Sequence, residues 1–212
     1  MTVLVLASAS AGRRATLRRA GVDPVVLVSD VDEDAVIDRY GVTAAEDIAL
    51  VLARAKAEQV AGRVADSREL PDGALVLGCD SVLELDGVVH GKPADAQDAR
   101  ARWRVMRGRS GVLHTGHWLV DTRTAGTGGT LGAVASTVVH FARISDAEID
   151  DYVGTGEPLA VAGAFTVDGL GGAFVSRIEG DFHAVVGVSL PLLRELVGEV
   201  GVSWPQLWTG HC

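Results

Sequence analysis

Cysteine is scarce in this chain, and its scarcity bears on the cellular compartment. The 212 residues contain only Cys79 and Cys212, too few for the disulfide framework of a small secreted protein. The five-residue apolar run that starts at Val3 is followed by arginines, the reverse of the order in a signal peptide. No segment approaches the roughly 20 apolar residues needed to cross a bilayer. We therefore expect a cytoplasmic protein with no membrane partner.

Positive charge is also in short supply. Lysine and arginine together number 19 against 28 acidic residues, a net charge of −9 at pH 7. This balance argues against extended binding to nucleic acid or to anionic membranes, although a local cationic pocket is still compatible with it. Only Lys56 and Lys92 are lysines. Lysine is a compact point charge that suits a phosphate oxygen; GC-rich coding is the alternative explanation, and it would leave both as ordinary surface charges.

Several well-known site motifs are missing. The six histidines lack the HExxH spacing of a zinc site, and neither cysteine has a CxxC partner. No GxSxG, Walker A or GxGxxG motif occurs in its required context. A zinc site is therefore not expected.

The order of strand and helix patterns predicts one mixed α/β domain over residues 1–212. Strand-like runs lie at 3–7, 25–28, 74–77, 82–85, 88–90, 112–120, 133–141 and 173–178, with helical patterns between several of them. The acidic stretch 30–34 is expected to be a loop. The alternation is too irregular to indicate a doubly wound sheet.

An anion site is suggested where the first strand ends. The small residues from Ser8 to Gly12 lead into a helix that begins with Arg13 and Arg14. Free backbone N–H groups at a helix start, together with two guanidinium groups, favour phosphate oxygens. The alternative is a serine-capped helix with a solvated basic face.

Two carboxylates are candidates for the chemistry. Asp80 follows the apolar run 74–77, which predicts that it lies at the carboxyl edge of a central strand, where ligands often bind in α/β sheets. There it could hold a metal or activate water. Glu33 follows another strand and could complete a Mg²⁺ site with Asp80, since Mg²⁺ prefers oxygen ligands. The alternatives are a local cap for Asp80 and a solvated acidic loop for Glu33.

Eight short motifs follow one another along about 180 residues. They are 6–14 (LASASAGRR), 54–57 (RAKA), 78–82 (GCDSV), 91–93 (GKP), 114–116 (HTG), 157–158 (EP), 162–165 (AGAF) and 179–182 (EGDF). In this order they resemble the Maf family of nucleoside triphosphate pyrophosphatases. The resemblance implies hydrolysis of a nucleoside triphosphate to a monophosphate and pyrophosphate. It also implies a mixed twisted sheet flanked by helices, with two lobes and an active-site cleft between them, as in Maf and ITPase-like folds.

The resemblance also implies roles for individual residues. Ser8, Arg13 and Arg14 would cradle the triphosphate, Lys56 and Lys92 would act as cationic clamps, and Thr115 would contact substrate. Glu33 and Asp80 would bind a divalent cation (Mg²⁺, Mn²⁺ or Co²⁺), with Asp80 as the alternative general base. A nucleoside triphosphate is the expected partner, and a homodimer is left open. Because Maf proteins are also associated with septum formation, a non-catalytic nucleotide-binding regulator of cell division is the alternative function.

Two departures from the family pattern bear on the substrate. Members commonly have Ser-Pro-Arg-Arg where this chain has residues 10–13 (SAGR), so one cation and a turn-fixing proline are missing. Asp168 stands where the pyrimidine-preferring branch has glutamine, and the branch that acts on 7-methyl-GTP looks similar here. An ionised acid accepts hydrogen bonds from guanine N–H groups. A purine preference is one interpretation of Asp168, and a local backbone cap is the other.

Overall fold

A computed structural model describes residues 2–65, 70 and 72–209 of the protein. In chain order, the strands are β1 (Leu4–Leu6), β2 (Val25–Val26), β3 (Leu75–Leu85), β4 (Val88–His90), β5 (Ser110–Asp121), β6 (Thr130–Phe141) and β7 (Val175–Glu179). The α-helices are α1 (Ala11–Arg19), α2 (Glu33–Tyr40), α3 (Ala45–Ala65), α4 (Ala96–Met106), α5 (Asp146–Gly154), α6 (Phe182–Val186) and α7 (Leu190–Glu199). None of the helices in these residues is both long enough and apolar enough to cross a bilayer.

The strands form one open mixed sheet. Its order is β2-β1-β3-β5-β6-β7, with β4 paired to β3. The pairs formed by β1 with β2 and with β3 are parallel, and the other pairs are antiparallel. Helices flank this sheet, so the predicted mixed α/β class is confirmed.

Two of the four apolar clusters formed by the described residues lie toward opposite ends of the long strands. One core contains Leu75, Leu77 and Leu119 with residues of α1 and α7. The other surrounds the fully buried Trp103 of α4 and includes Leu83 of β3. Because β3 and β5 contribute to both cores, the middle of these strands lies between two separately packed regions.

Two local expectations were wrong. The stretch 30–34 leads into α2, because Asp32 caps the helix by accepting a hydrogen bond from the Ala35 amide (3.1 Å) and Glu33 and Asp34 occupy its first turn. Carboxylates there are stabilised by the helix dipole. In addition, the runs predicted at 74–77 and 82–85 are joined in the single strand β3 (Leu75–Leu85), so Asp80 lies in the middle of a strand and not at its end.

Helix α3 lies unusually close to the centre of the sheet. Ala49, Ala53 and Ala57 recur every four residues, so they share one face of α3, and all three are fully buried. A Cβ atom on Gly78 would collide with the Ala53 carbonyl oxygen, and one on Gly116 would collide with that of Ala49. The two glycines therefore let the helix backbone rest directly on β3 and β5.

This close approach predicts opposite effects for two glycine substitutions. Gly78→Ala should lower the free energy of unfolding by about 3 kcal/mol, because the added methyl group meets a backbone carbonyl that cannot move without shifting α3. Gly62→Ala, in the exposed part of α3, should raise the free energy of unfolding by roughly 0.5–1 kcal/mol, because no described atom outside the adjoining helix backbone lies within 4 Å of the new Cβ. Urea denaturation measures both. A Gly78→Ala protein as stable as the parent would contradict the close packing.

Candidate active site

A cleft of about 1050 Å³ opens beside the middle of β3. The pairing of β1 with β3 ends at Leu77, and that of β4 with β3 begins at Leu83. Between them, no described strand pairs with this edge of β3. The cleft brings together seven of the residues predicted from the sequence: Ser8, Arg13, Glu33, Lys56, Asp80, Lys92 and Asp168.

Lys56 lies at the centre of this cluster. Its ammonium group is 2.5 Å from Asp80 Oδ1 and 2.7 Å from Glu33 Oε1. The Lys56 and Asp80 side chains are only 11% and 13% exposed, whereas that of Glu33 is 46% exposed. Lys56 extends from α3, whose close contact with the sheet brings its ammonium group to Asp80. Lys56 and Asp80, which are 24 residues apart in the sequence, are thereby joined by a hydrogen bond.

The two carboxylates differ in protonation behaviour. Burial raises the pKa of Asp80 above its ordinary value, even though Lys56 and Arg13 act to lower it. Burial also acts to raise the pKa of Glu33, but the hydrogen bond and charge of Lys56 outweigh it, so this pKa is lowered. Lys92 and Arg13 add to that lowering. The pKa values of the two carboxylates therefore shift in opposite directions.

The carboxylates suit a metal ion that also binds substrate. No cluster of three or more His, Cys, Asp or Glu side chains that could hold a metal occurs in residues 2–65, 70 and 72–209. Glu33 and Asp80 both contact one ammonium group, so their oxygens converge. Mg²⁺ is commonly bound by one or two carboxylates, with phosphate oxygens and water completing its shell. This donor set fits such an ion in the presence of a polyphosphate.

Arg13 is held in place by neutral groups. Its Nε donates to the Gly187 carbonyl oxygen (2.8 Å), and its terminal nitrogens donate to Ser8 Oγ (3.0 Å) and Ser81 Oγ (3.2 Å). The guanidinium group is thereby oriented without a carboxylate in these contacts. Its positive charge is available for an anion in the cleft.

Thr115 and Arg14 are not among the residues that line this cleft, so their expected contacts with substrate stay predictions. Thr115 is fully buried, and its hydroxyl lies 3.0 Å from Ser81 Oγ while donating to the Ala184 carbonyl oxygen (2.9 Å). It therefore supports Ser81, which in turn contacts Arg13. Arg14 is exposed and lines a second cavity of about 370 Å³ with Arg18. Side chains of consecutive helical residues point in different directions, which separates Arg14 from Arg13.

Sequence reasoning missed two residues that line the cleft, Ser81 and Glu157. Ser81 follows Asp80 in a quoted motif, but its contact with Arg13 spans 68 residues and has no local signature. Glu157 accepts hydrogen bonds from the Tyr152 and Thr166 hydroxyls (3.0 and 2.5 Å) and from the amides of Leu170 and Gly171 (both 3.0 Å). It thus fixes the glycine-rich turn beside Asp168, which is exposed at the cleft.

Three cations line the cleft together with five carboxylates: Glu33, Asp34, Asp80, Glu157 and Asp168. Cations placed beside carboxylates that can share a metal ion suit a phosphorylated ligand. The chain belongs to the Maf-like protein family, which matches residues 3–200.

Named relatives extend over nearly the whole chain. A nucleoside triphosphate pyrophosphatase of Salinispora tropica is 58% identical over 207 residues, which cover 97% of this chain and 87% of the relative. Proteins of the same name from Nocardia farcinica and Mycobacterium marinum are 53% and 48% identical. They align with 98% and 100% of this chain and with 97% and 99% of their own lengths.

The different surroundings of the two lysines predict different effects on stability. Lys56→Met leaves the buried Asp80 without its cation and should lower the free energy of unfolding by about 3 kcal/mol at pH 8. Lys92 is exposed, so Lys92→Met should change the free energy of unfolding by less than about 0.5 kcal/mol. Denaturant titration of both variants gives the comparison.

The deficit of Lys56→Met, meaning its loss of free energy of unfolding relative to the wild type, should depend on pH. Without Lys56, the pKa of Asp80 in the folded protein rises further above its unfolded value of about 4. The folded variant then binds a proton that the unfolded chain releases, so its stability falls as the pH rises from about 4 through the raised pKa. The deficit should therefore be smaller at pH 4 than at pH 8. A deficit that grows on acidification would contradict this pairing.

Proposed function

We propose that this protein hydrolyses a nucleoside triphosphate to a nucleoside monophosphate and pyrophosphate in the cleft beside β3. The observation that carries the proposal is the buried Asp80 carboxylate, placed against Lys56 in a cleft that also contains Arg13 and Lys92. The printed names of the relatives give the same activity. A protein that only binds nucleotide gains little from a carboxylate facing phosphates, since like charges repel.

The reaction requires charge neutralisation and an oriented water. Water adds to a phosphorus atom of the α–β anhydride, and the bridging P–O bond breaks to release pyrophosphate and the monophosphate. Arg13, Lys56 and Lys92 spread positive charge around the oxygens on which negative charge accumulates. Asp80 orients the water, as the general base that takes its proton or, in the alternative assignment, as a ligand of the divalent cation.

Glu33 and Asp80 are the residues we assign to a divalent cation, Mg²⁺, Mn²⁺ or Co²⁺. Such an ion supplies Lewis-acid stabilisation of the phosphate oxygens. Lys56 contacts both carboxylates, so it holds them together before the ion and substrate arrive. Ser8 and Ser81 act on the phosphates through Arg13, and Thr115 acts one step further away as a positioning residue.

Asp80→Asn should remove most turnover, because it keeps the shape of the side chain and loses the carboxylate that orients water. We expect kcat to fall at least about 100-fold, the usual contribution of a positioned base. Pyrophosphate and orthophosphate should be assayed separately over a nucleotide panel, with Mg²⁺, Mn²⁺ or Co²⁺ restored after chelation.

Each outcome of this assay bears on a different alternative. Retention of more than about a tenth of wild-type kcat would move the chemistry away from Asp80. Release of orthophosphate instead of pyrophosphate would identify a different phosphohydrolase. Binding of nucleotide with no turnover of the wild-type protein under any of the three ions would favour the non-catalytic regulator. A cooperative denaturation transition and an unchanged circular dichroism spectrum serve as the folding control for Asp80→Asn, since loss of the partner of Lys56 is itself expected to lower the free energy of unfolding.

Asp168 is our candidate for base selection, because Glu157 fixes the turn that follows it and Asp168 lines the cleft. Asp168→Gln should raise kcat/KM for uridine or thymidine triphosphate relative to guanine nucleotides. An amide both donates and accepts hydrogen bonds, whereas an ionised carboxylate only accepts. The expected change in the ratio is about 10-fold, corresponding to one exchanged hydrogen bond. Equal losses on every nucleotide would show that Asp168 shapes the turn and does not select the base.

A further inference from the structure

Lys92 must be held in position if it is to act on a substrate in the cleft. It is an exposed lysine in the short connection between β4 and α4, outside any helix or strand. Ordering a flexible lysine and its backbone on a ligand costs conformational entropy. Catalysis that relies on Lys92 is therefore helped by anything that fixes its backbone beforehand.

Arg102 of α4 donates two hydrogen bonds to the backbone of this connection. One terminal nitrogen donates to the Gly91 carbonyl oxygen (2.6 Å), and the other donates to the Lys92 carbonyl oxygen (3.3 Å). Asp98, one helical turn earlier, accepts from Arg102 through both carboxylate oxygens at 3.0 and 2.6 Å. The same carboxylate accepts from the Ala94 amide at 2.9 Å. A bidentate pair of this kind has a fixed geometry.

Hydrogen bonds from α4 and its neighbours connect two segments beside the cleft. Gly91, whose carbonyl oxygen Arg102 holds, also accepts a hydrogen bond from the Gly163 amide at 3.0 Å. Trp103, the residue after Arg102, donates through its indole nitrogen to the Ala164 carbonyl oxygen at 2.7 Å. Helix α4 thus ties both the Lys92 connection and the segment around Gly163 to one rigid element.

We propose that Arg102, oriented by Asp98, is a positioning residue for Lys92 in the reaction proposed above. Arg102 does not line the cleft, and its charge is paired with Asp98. It therefore acts through the backbone of the connection and not by contacting substrate. This inference rests on the proposed function and on the assignment of Lys92 to the phosphates.

A double-mutant cycle isolates this coupling, using Lys92→Met, Arg102→Met and the combined variant. Arg100→Met is the matched control, because Arg100 lies on the same helix and pairs with Asp150 of α5 at 2.8 Å. The readouts are kcat/KM for pyrophosphate release and the Kd of a non-hydrolysable triphosphate analogue. The Kd of the analogue can still be measured for any variant whose turnover is too slow to assay.

We expect Arg102→Met to lower kcat/KM by roughly 10- to 100-fold, the size of effect that a small misplacement of a cation produces. Once Lys92 is absent, adding Arg102→Met should change kcat/KM and Kd by less than about 2-fold. Arg100→Met should leave both near wild type.

Full additivity of the Lys92 and Arg102 effects would overturn the inference, because Arg102 would then act independently of Lys92. An equal loss in Arg100→Met would also overturn it, since the cause would be general damage to α4. Failure of the proposed function looks different. In that case the wild-type protein itself releases no pyrophosphate, and the cycle in analogue binding still reports whether Arg102 positions Lys92.

Discussion

The contact of α3 with the centre of the sheet is the constraint on which the site depends. Gly78 and Gly116 leave no side chain between the strands and the helix, and the alanine face of α3 fills the space with its backbone. Asp80 pairs across the strands with Gly116, so its side chain emerges on the face that α3 covers. A larger residue at either glycine would lift Lys56 away from Asp80.

The charges in the cleft are arranged so that some are compensated and others are available. Lys56 is matched by the buried Asp80 and the half-exposed Glu33, which keeps the charges of Lys56 and Asp80 compatible with burial. Arg13 is oriented by a serine, a second serine and a carbonyl group, so its charge is left for a ligand. Lys56 is paired and Arg13 is available because their hydrogen-bond partners differ, and not because one is a lysine and the other an arginine.

The sequence predicted the class of fold, and seven of the nine predicted site residues line the cleft, because short motifs and strand runs are local properties. It placed Asp80 wrongly at a strand end, since the apolar run stops at Leu77, whereas β3 continues through Gly78, where the missing side chain admits α3. Thr115 and Arg14, which the resemblance placed at the substrate, do not line the cleft, and their contacts with substrate stay predictions. The contacts of Ser81, Glu157 and Arg102 join segments distant in sequence or depend on turn geometry, and no periodicity records them.

The most direct measurement is a crystal structure of the protein with a non-hydrolysable nucleoside triphosphate analogue and Mg²⁺. The account predicts that the α–β anhydride lies beside Asp80. It also predicts a metal ion bound by Glu33 and Asp80, and phosphate oxygens contacting Arg13 and Lys92. A polyphosphate bound in the second cavity beside Arg14, or one in the cleft with its anhydride away from Asp80, would contradict it.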